Sequence, residues 1–194
     1  MKDHEARIAR LERAPGGGSI FVDSRVLEAA ADHVLFDAIP SGRTILELAW
    51  FALLDDASVG DPCYSGLFLN GDAIANEWTD ESEYRWNIGI PNPIGPDFVS
   101  VHSNEEFAAV GWINLGMASF GRIQFPAYNI AGGEWHGDSS INNGNDTIPG
   151  VCSGARDDSG TGFVLSALSM IALAESDFAR QQFAVGSWFA LTAY

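Results

Sequence analysis

Lysine is almost missing from these 194 residues: Lys2 is the only one, and ten Lys plus Arg stand against 26 Asp plus Glu, a formal charge of −16. A surface this acidic repels phosphates and anionic headgroups, which argues against nucleic acid or a membrane surface as a partner. Cysteine is equally scarce. Cys63 and Cys152 lie far apart with no CxxC pair and no second ligand at metal spacing, which favours buried or incidental thiols over a staple. Long apolar runs are missing too. The stretches Ile45 to Leu54 and Phe163 to Leu173 are about half of the roughly 20 residues that a spanning helix needs. The N-terminus has no apolar h-region or small-residue cleavage pattern, so a soluble chain is expected, without export by the general secretory route.

Enzyme signatures are missing as well. The chain has no GxSxG elbow, no HExxH, no GxxxxGK[ST], and no strand followed by GxGxxG and a helix. Carboxylates cluster at Asp55-Asp56 and at Asp80-Glu81-Glu83. Neighbours on a strand point to opposite faces, and clusters beside Gly or Asn read as solvated loop charges. The enzyme alternative is a glycan hydrolase that uses Asp80, Glu81 or Glu83; no catalytic residue is assigned. His102 and His136 have no Cys or His at ligand spacing. Asp138, Asn142, Asn145 and Asp146 offer oxygens without the EF-hand order, so no metal or cofactor is assigned.

What is present is a folding composition. Hydrophobic residues make up 46%, with six Trp, twelve Phe, four Tyr and 21 Gly, which suits a packed core with many turns and not a disordered acidic chain. The charge is uneven: the first fourteen residues hold four basic side chains against three acids, and the remainder hold six against 23.

Met1, His4, Ile8 and Leu11 recur at the a and d spacing of a coiled-coil seam, with Arg7 at g and Glu12 at e placed to pair between chains. Pro15 and Gly16-Gly17-Gly18 end that helix, so residues 1–18 are expected to form an oligomerisation or attachment helix with its linker. The oligomerisation residues are His4, Arg7, Ile8, Leu11 and Glu12. Two heptads are short for an independent helix, so the seam would set register more than supply stability. Ile at a with Leu at d leans toward two strands.

Residues 19–194 read as one β-sandwich domain. Strands are expected at Ile20 to Leu27, Val34 to Ile39, Thr44 to Leu54, Leu67 to Leu69, Tyr84 to Ile90, Phe98 to His102, Val110 to Ala118, Arg122 to Tyr128, more weakly Glu134 to Gly137, then Phe163 to Leu173 and Gly186 to Ala193. Turn formers lie between them and no βαβ alternation appears, so the fold class is all-β and antiparallel. Helices are expected only at the N-terminus, Glu28 to His33 and Ala174 to Gln182. Asn129 to Ser159, with Asn142-Asn143-Gly144-Asn145-Asp146, reads as a long polar loop of the kind that carries function.

Trp and Tyr rings stack on sugars while Asp and Asn bind hydroxyls, so Trp78, Trp135, Asp80 and Asp138 are the candidate ligand-binding residues for a glycan. Trp50, Trp86, Trp112 and Trp188, inside apolar runs, are expected in the core.

Four strings carry a family likeness. Ile39-Pro40-Ser41-Gly42 before Thr44 to Leu54, then Gly66-Leu67-Phe68-Leu69-Asn70-Gly71-Asp72, Gly121-Arg122-Ile123-Gln124-Phe125-Pro126-Ala127-Tyr128 and Gly186-Ser187-Trp188-Phe189-Ala190-Leu191 follow in order. In order and approximate spacing they resemble bacteriophage minor tail and tail-fibre-like virion proteins, over most of residues 20–194. The resemblance implies a noncatalytic virion protein with a jelly-roll-like sandwich, usually a homotrimer, assembled in the host cytoplasm and carried on the tail or capsid. Its partners would be copies of itself, other virion proteins reached through the N-terminus, and a host surface glycan. A capsid spike or decoration protein with a purely architectural role is the alternative.

Overall fold

A computed structural model describes residues 20–55, 63–70, 83–90, 97–105, 107–113, 115–131, 133–142, 147–157, 164–174 and 179–194. The expected N-terminal helix, with His4, Arg7, Ile8, Leu11 and Glu12, lies outside the described residues, as do Trp78, Asp80 and Glu81.

The large sheet contains β1 (Ile20–Val26), β3 (Ile45–Ala52), β5 (Glu83–Ile90), β6 (Asp97–Glu105), β8 (Ser119–Pro126), β9 (Glu134–Asn142), β10 (Thr147–Asp157) and β13 (Trp188–Ala193). The smaller sheet contains β2 (His33–Phe36), β4 (Cys63–Leu69), β7 (Ala108–Ile113), β11 (Leu168–Ala174) and β12 (Arg180–Gln181). The period of two explains the half-buried strands: in β3, Leu46, Leu48, Trp50 and Ala52 are buried while Ile45 and Phe51 face out. Strands β4 and β11 are buried throughout; in β11 the run Leu168 to Ala174 is apolar but for the buried Ser169.

Pairing is antiparallel throughout the described ladders, and the first five strands alternate between the sheets. In the large sheet β1 lies beside β13, followed by β3 and β8; in the small one β2 lies beside β11, followed by β4 and β7. Two hairpins, β5–β6 and β9–β10, prolong the large sheet beyond β8 in the order β9, β10, β5, β6.

One core joins the two sheets. Tyr64 of β4 meets Trp86 of β5 edge-on, with ring centroids 5.6 Å apart, and lies 6.0 Å from Trp112 of β7. Phe68 of β4 lies 6.4 Å from Tyr84 of β5, which continues at 6.3 Å to Trp135 of β9 and from there at 6.4 Å to Phe125 of β8. Aromatic pairs at these separations add to the burial of ring area, so the inserted hairpins are held by the same core as the rest of the sandwich.

Two expectations are corrected. The described part of residues 129–159 is no open loop: helix α1 (Tyr128–Ala131) is followed by β9 and the eleven-residue β10, and Asn142 pairs with Thr147. An Asn-Gly cluster between two runs is a hairpin signal, masked here by the Gly and Ser content of both strands. Among the described ladder pairs Pro149 faces Ser140, and the described β5 ladder begins at Val151. The helix expected over Glu28 to His33 is absent: Ala31 bridges to Phe183 and His33 begins β2. The described ends of Ala174 to Gln182 are likewise strand, in β11 and β12.

Candidate functional site

Strand β9 separates the two candidate ligand residues that it carries. Positions 135 and 138 differ by an odd number, so their side chains leave opposite faces of the strand. Trp135 points inward and is 2% exposed, between Tyr84 and Phe125. Opposite it on β10 stands Gly154, where a Cβ would lie 2.1 Å from Trp135 Cζ2, so the indole packs against bare backbone. The expectation that Trp135 stacks on a ligand is therefore corrected: its ring is a core element with no face left for a sugar.

Asp138 points outward. Its carboxylate is 75% exposed and lies 4.0 Å from Arg122 of β8, whose guanidinium is also 4.0 Å from Glu47 of β3. Gln124 donates to Glu47 Oε2 at 2.8 Å, and the Tyr194 hydroxyl lies 3.5 Å from Oε1. His136 is exposed beside Gln124 in the next cross-strand row. The middle of the outer face is thus a polar strip of both signs, in which Arg122–Asp138 is an exposed pair and Glu47 is largely covered.

One end of the same face is apolar. Val26 pairs with Trp188, Trp188 with Phe51 and Phe51 with Phe120, so four side chains form one row across β1, β13, β3 and β8. All four are exposed, Trp188 at 38%, which corrects its expected place in the core. The dipeptides Trp50-Phe51 and Trp188-Phe189 carried the signal, because two adjacent aromatics on a strand cannot both face the core. Trp50 and Trp86 are buried as expected, and Trp112 is partly buried.

Beneath this face lies a buried hydroxyl cluster. Ser65 donates to Ser119 Oγ at 2.9 Å, the Trp50 indole donates to the same oxygen at 3.1 Å, and Ser140 Oγ lies 3.5 Å from it. The Phe120 amide donates to Ser140 Oγ at 2.9 Å, and Ser139 Oγ donates to the Val110 carbonyl. These hydroxyls bond to one another, an indole and the backbone, so the cluster tethers β4 and β7 to the large sheet.

Cys63 and Cys152 are both buried. Burial, with the Asp138 charge second, pushes the Cys152 thiol far above its ordinary range. Among the described residues no three His, Cys, Asp or Glu side chains are grouped to hold a metal ion, and no helix is long and apolar enough to cross a membrane. No protein-family model, curated protein or solved structure matches the chain.

Proposed function

We propose that the chain is a structural protein of a bacteriophage-type virion, a tail-fibre or minor tail component with a jelly-roll body on an N-terminal coiled coil. The strand order carries this reading. Four strands ordered first, last, third, eighth face four ordered second, eleventh, fourth, seventh. That interleaving is expected of two nested Greek keys, an architecture used by viral capsid and lectin domains. Fold alone does not give function, so the strings that resemble tail proteins supply the second support. Three of them lead into or fall on β3, β8 and β13, which are neighbours in the large sheet, and the fourth covers most of β4. At its end Asn70 adopts a φ of 55° and accepts the Ser166 amide at 2.7 Å, a turn-forming role.

The receptor part of the proposal narrows to Trp78, Asp80 and Asp138, since Trp135 is buried. Three copies joined through Ile8 and Leu11 would present the site three times, and effective concentration then raises a weak glycan affinity. The test is binding of the full chain to host cells and to a glycan array, with Trp78→Ala, Asp80→Asn and Asp138→Asn beside it. Loss of at least tenfold in cell binding by these variants is the expected result. Unchanged binding by all three removes the glycan site.

The architectural reading, a tail or capsid decoration piece without a receptor, is favoured by the burial of Trp135, which takes away one of the two rings that a glycan site was built on. Antibody labelling of purified particles tests what both readings share. A particle without the protein removes both.

A further inference from the structure

We infer that the apolar row Val26–Trp188–Phe51–Phe120 is the surface on which the β-sandwich body of one copy packs against that of another. The inference rests on the proposed self-association only in taking a second copy as the occupant.

The row is a property of register. Each of its members stands directly opposite the next, so the side chains share one face over three strand spacings, about 14 Å. Val185, in the turn that leads to β13, and Leu115, in the turn that leads to β8, are also exposed, and both turns lie at the end of the sheet where the row sits. Exposures of 60% at Val26, 42% at both Phe51 and Phe120 and 38% at Trp188 are high for side chains of this kind. Together the six leave roughly 500 Å² of apolar surface, in the size range of patches that serve binding. Doubled across two copies, that is about 1,000 Å², most of the roughly 1,200–2,000 Å² that a stable interface buries once a polar rim is added.

Charge selects the occupant. The chain carries −16 overall, so two bodies repel each other wherever their acids face. The row itself holds no charged side chain. Beside it, in the next cross-strand row after Ala190 and Ala49, stand Arg122 and Asp138, exposed at 60% and 75% and 4.0 Å apart within one chain. A flank whose Arg122 and Asp138 balance each other within one chain lets the same flank of a second copy approach without the repulsion that the acids elsewhere impose. The composition also suits an interface, with aromatic anchors at the centre and an Arg at the rim.

The experiment is light scattering after size exclusion on the full chain over a hundredfold range of concentration, in low and high salt. Three variants go with it: Phe51→Ser with Trp188→Ser at the centre of the row, Val26→Glu at its edge, and Ile8→Asp with Leu11→Asp in the N-terminal seam. Circular dichroism checks the fold of each, and Val26→Glu serves if the double serine variant fails to fold. In the expected result the seam variant still associates at high concentration, more strongly in high salt because like charges are screened. Both row variants lower the mass, and the row and seam changes combined give a monomer.

A seam variant that is monomeric at every concentration, with row variants of unchanged mass, overturns the inference and leaves the coiled-coil reading standing. A monomeric full chain overturns both forms of self-association. A monomeric chain that begins to associate through the row only after residues 1–18 are removed assigns the row to the chain's own N-terminal segment and also overturns the inference. Association that weakens in high salt overturns the argument from charge, because it points to a contact held by opposite charges.

Discussion

The phenolic oxygen of Tyr84 on β5 accepts a hydrogen bond of 2.9 Å from the backbone amide of Leu69 at the end of β4. A side chain of the large sheet thus satisfies the main chain of the small one, deep in the aromatic core, where Tyr84 is 0% exposed. Replacing it with phenylalanine keeps the ring contacts with Phe68 and Trp135 and removes the acceptor. Tyr84→Phe should cost about 1–3 kcal/mol, the penalty for an amide left buried and unpaired. A urea denaturation midpoint that falls with an unchanged m-value would bear this out; an unchanged midpoint would mean that the amide finds another partner.

Trp135 and Gly154 form a matched pair across β9 and β10. Trp135→Ala opens a cavity in the core and should cost about 3–5 kcal/mol. Gly154→Ala places a Cβ 2.1 Å from the Trp135 ring and 2.5 Å from the Arg85 carbonyl, so overpacking should cost about 1–3 kcal/mol or more. Because the ring is the first obstacle, the double variant should be less destabilised than the sum of the two single ones. Strict additivity in denaturant melts would show that the Arg85 carbonyl alone sets the cost. Neither single change should reduce binding to host cells beyond what lost stability explains.

The two cysteines give a chemical readout of the core. Both are buried, and the Cys152 thiol is held protonated by burial and, secondarily, by the Asp138 charge. Thiolate is the reactive form, so a thiol reagent should leave the folded chain unmodified and label both cysteines after denaturation. Rapid labelling of Cys152 in native buffer would contradict its burial.

Tyr128 makes the fold sensitive to alkali. Burial raises its phenol above the ordinary tyrosine value, against the lowering effects of an Arg43 backbone hydrogen bond and the Arg43 charge, and its hydroxyl donates to the Pro40 carbonyl. The folded chain therefore keeps this proton at a pH where the unfolded chain has lost it. The resulting stability is full below the unfolded value of about 10 and is lost as pH rises through the folded one. The denaturation midpoint should fall from pH 9 to 11, and less steeply in Tyr128→Phe. Equal slopes would assign the alkaline sensitivity to other groups.

Legibility in the sequence followed range. Strand positions depend on local chemistry, and β1, β3, β5 and β13 start within two residues of where β-branched and aromatic runs place them. Strand β10 is hard to read because in Thr147 to Asp157 the strand formers Thr147, Ile148 and Val151 are broken up by Pro149 and two glycines. It is a strand because β9 and β5 flank it and supply both ladders. The same holds for Trp135, whose neighbours in sequence, Glu134 and His136, suggest a surface, while Tyr84 and Phe125 make it core.

The sequence by itself determined that the chain is acidic, nearly free of lysine, and built from antiparallel strands, because charge and a period of two are written residue by residue. Only the tertiary structure decided which side of each strand is covered. Burial of Trp135 and exposure of Trp188 depend on strands brought alongside from distant parts of the chain, and the period of two, identical on both faces, does not say which one the second sheet will cover.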